Sequence, residues 1–336
     1  MRQGGSGPDQ WIACTQYDDG YFANANLEYR KSADQKNNSG GRGRRAGPRM
    51  EKKLLCALTH ARQESFFLAK WINYYGAIVG RENLYVVLDG DDWEPEVDLT
   101  GINVEVVLDG PRKRRRNDQW AASTMSKKAN FLRKSHEFVI RGDVDEYVVV
   151  DPACGLGWEE ALRAVGDQGY TFALGIDMVQ RPAETTPLDA SKPILSQRRF
   201  GFVADRYTKP FVIWRWNNWS GGAHRLLNRP VIMNPHFVLF HMALCDVQIA
   251  QERMDARGGQ GQHASFVGHQ NDRLNTFNEV TDLQLLPYED AVTAAFKEFP
   301  VESDGSVAKR PRASAHPLAH EKGLFTTVPE RFSSLV

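Results

Sequence analysis

The sequence predicts an α/β protein built on a mostly parallel sheet, followed by a mixed β region and a helical C-terminal part. Three observations carry this. Short apolar strands alternate with helix-length segments between residues 53 and 141, the pattern of strand–helix–strand units. Acidic turns, "LDGDDW" (88–93) and "RGDVDEY" (141–147), stand at the carboxyl ends of two of these strands. From residue 170 onward, aromatic β-rich stretches follow with no clear helix between them.

The elements follow in order. "KLLCAL" (53–58) is a short apolar strand. "RQESFFLAKWINYYG" (62–76) sets Phe67, Trp71, Tyr74 and Tyr75 at helical spacing, with Gly76 as the expected C-cap. "NLYVVLD" (83–89) and "INVEVVLD" (102–109) are strands, "DQWAASTMSKKANFLRK" (118–134) is a helix and "EFVIR" (137–141) a strand. Further on, "WEEALRAV" (158–165) is helical, and "YTFALGIDMV" (170–179), "PFVIWRW" (210–216) and "HRLLNRPVIMNPHFVLFHM" (224–242) read as β structure. Residues 247–278 have a weak helical pattern broken by "RGGQGQ". No fixed-period repeat is visible.

At 336 residues with 41% hydrophobic content, the chain can bury a substantial core. Lysine plus arginine equals aspartate plus glutamate at 42 each, so no global charge draws it to nucleic acid or membrane. Its four cysteines (Cys14, Cys56, Cys154, Cys245) are far apart, with no C-x-x-C pair, as expected for reduced thiols. With no bilayer-length apolar run and no signal-peptide core, the expectation is a cytoplasmic protein, with or without a peripheral membrane contact. The organisation expected is an extension or disordered segment over 1–50, one domain over 51–280, and a partly disordered tail over 281–336. Residues 32–50 are rich in Gly, Ser, Asn and Arg, and 300–323 are polar and broken by proline.

The chemistry concentrates in "RGDVDEYVVVDP" (141–152). Buried carboxylates must protonate, pair or coordinate a cation. In an extended segment residues i and i+2 point to one side, so Asp143 and Asp145 are expected to approach one ion. Carboxylate oxygens suit Mg²⁺ or Mn²⁺. The plain alternative is a solvated acidic turn at a strand end.

Asp143-Val144-Asp145-Glu146-Tyr147-Val148 resembles the D-x-D-E-[FY]-[LV] motif of GT-A fold glycosyltransferases, in particular the family 2-like bacterial group and the related family 92-type enzymes. Upstream, "LTHARQESFFLAKWINYYGA" and "LYVVLDGDDW" are similar to the opening of that fold, with Gln63 where the family usually has Asn and Asp91-Asp92 in place of Ser/Thr-Asp. The resemblance covers about residues 53–245 and implies a GT-A, Rossmann-like fold. It also implies a metal-dependent transferase using a nucleotide-sugar donor, a UDP-sugar, with a glycan, lipid or protein acceptor.

On that resemblance the metal ligands are Asp143, Asp145 and His241, with His236 second to His241. The alternative for His241 is a core histidine bonded to a carbonyl. Thr59, Glu64 and Asp89 would flank the nucleoside, unless Asp89 only shapes a turn and Glu64 only caps a helix. Lys127 or Lys128 would reach the diphosphate, with Asp143 also on the donor. Asp177, His224 and Asp246 are the candidate catalytic bases, in that order, if the reaction inverts the anomeric centre. The basic run Arg112–Arg116 is either a solvated loop or a contact for an anionic partner such as a membrane surface.

Other classes explain less. A phosphoryl- or nucleotidyl-transferring enzyme would add a P-loop or a second acidic motif nearby, and neither is present. A glycoside hydrolase needs two carboxylates flanking a bond, whereas these lie two residues apart. A non-catalytic carbohydrate-binding module has no use for the intact Asp-x-Asp.

Overall fold

The computed structural model describes residues 51–107, 114–164, 166–258, 285–298, 306–307 and 325–336. The expectation for residues 1–50 lies outside these. Four strands form a wholly parallel half: β1 (Lys53–Ala61), β2 (Leu84–Asp89), β3 (Asn103–Val107) and β4 (His136–Arg141), in the spatial order β3-β2-β1-β4. That order is one half of a Rossmann-type sheet. Helix α1 (Ser65–Val79) connects β1 to β2, and α2 (Arg114–Leu132) precedes β4.

Period-two alternation sorts the side chains between the two helices. Leu55 and Ala57 of β1, Leu84, Val86 and Leu88 of β2 and Phe138 and Ile140 of β4 pack in one core with Phe67, Leu68, Trp71, Ile72 and Tyr75 of α1. Cys56, Leu58, Val87 and Val139, on the opposite face, pack with Ala122, Met125, Ala129 and Leu132 of α2. β1, β2 and β4 are therefore covered on both faces, which is why they are rich in apolar residues, while β3 at the sheet edge is mostly exposed. α1 runs one turn past the expected stop at Gly76. It ends at Gly80, whose φ of 81° lies in the left-handed region and whose N–H donates to the Gly76 carbonyl.

The mixed region continues the same sheet. Strand β8 (Lys209–Ile213) pairs antiparallel with β4 and with β6 (Tyr170–Val179). β6 pairs parallel with β9 (Val231–Leu244), and β9 pairs antiparallel with β5 (Glu146–Val150) and β10 (Ser306–Val307). Helices α3 (Trp158–Arg163), α4 (Val247–Gly258) and α5 (Tyr288–Glu298) complete the described α structure. This is the α/β, Rossmann-like architecture expected, with its mixed β region and helical later part. Among the described residues no helix is long and apolar enough to cross a membrane. Cys56, Cys154 and Cys245 are free thiols.

Two short strands were not foreseen, and one of them lies within the stretch 281–336 expected to be a partly disordered tail. β7 (Phe200–Val203) pairs with β6, and β11 (Phe325–Thr327) pairs with β7. Phe325 stacks on Phe200 at 5.8 Å, and Phe325, Val328 and Phe332 are fully buried. Arg331 holds Asp151 through two hydrogen bonds of 2.7 and 2.9 Å, and the Val336 carbonyl accepts from Leu195 N–H. The polar composition of 300–323, nearly all outside the described residues, does not extend to the aromatic segment after it. Phe332→Ala should therefore cost about 3–4 kcal/mol, the usual size of a buried Phe truncation. The urea midpoint should fall with the slope unchanged; an unaltered midpoint would restore the loose-tail view.

Candidate active site

The carboxyl ends of β1, β2 and β4 lie together, and the mixed region delivers its polar residues to the same end. β8 runs antiparallel to β4, so its first residue, Lys209, lies beside the end of β4. In β6 and β9, Asp177 is in register with His241, which is in turn opposite Glu146 of β5. A close backbone approach made possible by Gly175 shapes this corner. A Cβ there would lie 2.1 Å from the backbone carbon of Tyr207. Only glycine lets the turn at Asp205–Tyr207 cross the strand this closely, and that turn stacks Tyr207 on His241, with ring centroids 3.6 Å apart and planes 13° from parallel. Gly175→Ala should lower the melting temperature and shift the His241 imidazole resonances as Tyr207 is pushed off the ring; unshifted resonances would separate the stack from the glycine.

Residues 142–145 form a turn rather than the extended segment expected: Glu146 N–H donates to the Asp143 carbonyl, and the Glu146 carboxylate accepts from Asp143 N–H at 3.3 Å. The turn sends the two aspartates to different partners. Asp143 accepts from Arg141 at 3.0 Å and lies 3.6 Å from Lys209 Nζ and 3.9 Å from His60 Nδ1. Asp145 accepts from Arg253 of α4 at 2.7 Å and lies 3.7 Å from His241 Nε2. Lys209, buried in an otherwise apolar strand, also pairs with the buried Glu146.

His241 is buried, and its Nδ1 lies 2.6 Å from the Asp177 carboxylate. This contact fixes the ring and leaves Nε2 facing Asp145. A carboxylate behind a histidine is the usual way of aiming a metal-binding imidazole. Among the described residues no group of three or more His, Cys, Asp or Glu side chains is arranged to hold a metal. Two of the expected ligands, Asp145 and His241, face each other, while Asp143 is turned to Arg141 and Lys209.

Electrostatics follow from these pairings. Burial pushes the pKa of Asp143 upward, but Arg141, Lys209 and His60 outweigh it and hold the carboxyl well below the usual range. For Asp145, Arg253 and His241 likewise outweigh burial. Glu146 goes the other way: burial raises it and Lys209 only partly offsets that. Glu64, Asp143, Asp145, Glu146 and Asp177 give five carboxylates, against three permanent cations among the described residues in contact with them, Arg141, Lys209 and Arg253.

The remaining expected residues divide. Thr59 and Asp89 are buried at the ends of β1 and β2, and the Asp89 carbonyl accepts from Arg62 at 2.8 Å and Trp93 at 3.1 Å. Glu64 stands at the start of α1 without capping it and is held instead by Arg253. The preceding Gln63 has φ of 53°, a left-handed conformation in which Asn is more at ease. Lys128 pairs with Glu105 of β3, and Lys127 is exposed; neither contacts the acidic cluster. Arg112 lies outside the described residues, and Arg114 to Arg116 begin α2. His236 is in the first half of β9, where its N–H donates to Asn234. Asp246 is committed to Arg198 at 3.1 Å and to the N–H groups of Gln248 and Ile249 at the start of α4.

His224 donates from Nδ1 to the Arg206 carbonyl at 2.8 Å, and burial, with Lys209 nearby, lowers its pKa to about 3. A ring this weakly basic is a poor proton acceptor near neutrality. The same shift bears on stability. Above pH 6.5 the ring is neutral whether folded or unfolded. Below it the unfolded chain takes up a proton the folded chain refuses, so stability falls as pH drops from 6.5 toward 3. The slope from this residue is at most about 1.4 kcal/mol per pH unit. His224→Gln should flatten the pH 6 to 4.5 limb of the stability curve in urea titrations; an unchanged limb would place the ring in water.

Sequence reading missed Lys209, Arg141, His60, Tyr207 and Arg253. A lysine opening an apolar strand, "KPFVI", is the one local signal that was available.

No protein-family model matches the sequence, and no curated protein matches it. Among solved structures, the mannosyltransferase PcManGT from Pyrobaculum calidifontis in complex with GDP-Man and Mn²⁺ is similar over 58% of this chain and 53% of that one, at 13% identity and a TM-score of 0.26. The mannose-1-phosphate geranyltransferase from Thermus thermophilus is similar over 83% of this chain and 74% of its own, at 11% identity and a TM-score of 0.25. The chain thus spans about half the length of the first. At such scores neither likeness carries an argument about function.

Proposed function

We propose that the protein is a glycosyltransferase that uses a nucleotide-sugar donor and a divalent cation. One observation carries the reading: a largely buried cluster of carboxylates, with an imidazole aimed by Asp177 toward Asp145, stands at the carboxyl ends of the parallel strands. Ligands of open α/β sheets bind at these ends. Structural ion pairs alone would not require the oriented histidine.

The donor set fits the cation. Carboxylate oxygen and imidazole nitrogen together suit Mn²⁺, and Mg²⁺ less well. Asp145 and His241 would hold it; Asp143, on the same turn but facing Arg141 and Lys209, would have to leave those partners to join them as the third ligand. When bound, the ion supplies charge neutralisation for the departing nucleoside diphosphate. Lys209 and Arg141 add fixed positive charge beside Asp143, a role expected of Lys127 or Lys128 from sequence. Thr59, Glu64 and Asp89 wall the nucleoside subsite at the ends of β1 and β2. Asp177 positions His241, and Asp246 positions α4, so neither is the acceptor's base. The acceptor is a glycan, a lipid or a protein, the donor a UDP-sugar, and the setting cytoplasmic, with or without membrane contact at the Arg112–Arg116 run.

The test incubates the full chain with a panel of UDP- and GDP-sugars, with and without Mn²⁺, and follows donor hydrolysis. Hydrolysis is expected only with the metal, and Asp145→Asn should reduce it by at least about 100-fold, the scale of losing a charged transition-state contact. Asp177→Asn should weaken Mn²⁺ binding about 10- to 100-fold through the loosened imidazole. Metal-independent turnover, or no interaction with any nucleotide sugar, would sink the proposal.

A further inference from the structure

Arg253 holds together two carboxylates that belong to different loops. From α4 its Nε and Nη2 donate to Glu64 Oε1 at 3.0 and 2.9 Å, and Nη2 donates to Asp145 Oδ2 at 2.7 Å. Glu64 lies between β1 and α1, and Asp145 in the β4–β5 turn. The guanidinium plane also lies over Phe67 of α1, 4.7 Å from the ring centroid. The side chain is 13% exposed, so these contacts are little screened by solvent. Although burial opposes its charge, Glu64 and Asp145 together raise its pKa above the ordinary value.

The position matters because Asp145 Oδ2, the oxygen that Arg253 binds, is also the one 3.7 Å from His241 Nε2. One carboxylate oxygen is shared between an internal cation and the only imidazole aimed at it among the described residues. A divalent ion taking Asp145 and His241 would compete with the guanidinium for that oxygen. Two positive centres on one oxygen repel each other strongly in a poorly screened site. Glu64 gives Arg253 a second partner to keep when Asp145 is lost.

We propose that Arg253 is the positioning residue of the cation site: it occupies Asp145 in the metal-free protein, and cation binding transfers Asp145 to the metal while Arg253 stays with Glu64. This rests on the metal reading above. It makes metal affinity depend on a helix that contributes no ligand, and it gives Glu64 a function besides contact with the nucleoside.

The prediction has a sign that a purely structural role would not give. Mn²⁺ alone is titrated into the full chain and free ion is followed by electron paramagnetic resonance, with circular dichroism checking the fold. Arg253→Gln removes the competitor and should tighten Mn²⁺ binding by about 10-fold or more, the scale of a typical coupling between two ligands of one site. Glu64→Gln removes the alternative partner, commits Arg253 to Asp145, and should weaken binding, although Glu64 is not a ligand. Arg253→Lys keeps the charge but cannot bridge both carboxylates, and should fall between wild type and Arg253→Gln; it also serves if the glutamine variant folds poorly. If Asp145→Asn abolishes Mn²⁺ binding while Arg253→Gln and Arg253→Lys leave it equal or weaker, this inference fails and the metal reading stands. If the wild type and every variant bind no Mn²⁺, both fall together.

Discussion

The constraint on which the rest depends is the burial of several carboxylates where three parallel strands end. Each would be unstable there alone, and the surrounding architecture supplies the compensation. Arg141 closes β4, Lys209 opens β8 beside it, and α4 brings Arg253 to Asp145 and Glu64. The mixed half of the sheet therefore does more than widen the core. Without β8 and β9 at these positions, the acidic turn would lose its lysine and its histidine. Buried ion pairs are weak evidence for stability in themselves, since desolvation offsets most of their attraction. Their retention here, with an imidazole aimed at one of the carboxylates, accords with the proposed ligand site.

Much of the parallel half could be read from the sequence, because its signals are local. Continuous apolar runs, helical spacing in α1 and turns rich in Asp and Gly each reflect nearest-neighbour physics. Residues 170–179 match β6 in full. The shorter strands could not be read this way. "FGFV" and "FTT" are too brief for alternation to register, and they exist because Phe200, Phe202 and Phe325 find each other across the sheet. The helix end at Gly80 instead of Gly76 shows the same limit. Either glycine could stop a helix, and only the tertiary path decides which adopts positive φ.

In the site, sequence could nominate acids but not their partners. Asp143, Asp145 and His241 were legible as candidates because a polar group inside an apolar run needs a reason. That Asp143 and Asp145 would diverge was not legible, because an apolar–acidic alternation reads as extended chain whereas the segment is a turn. Asp177 illustrates the harder case. A carboxylate at a strand end was visible, but its role depends on a parallel strand register that sets it against His241. Arg253 gave no signal at all, as an arginine in a weakly amphipathic helix normally belongs to water.

The β7–β11 pair bears on how the molecule assembles. Phe200 and Phe202 meet Phe325 only when segments far apart in the chain come together. Such non-local closure has to overcome a large loop entropy before it gains any contact, so it belongs to the slow end of folding. Until it happens, β7 is an unpaired edge carrying two aromatic rings, the kind of surface that recruits strands from other molecules. The parallel half, whose contacts span shorter loops, has no such waiting period. The vulnerability of this protein to aggregation during synthesis or refolding therefore lies in the mixed half, at an edge strand remote in sequence from the acidic turn.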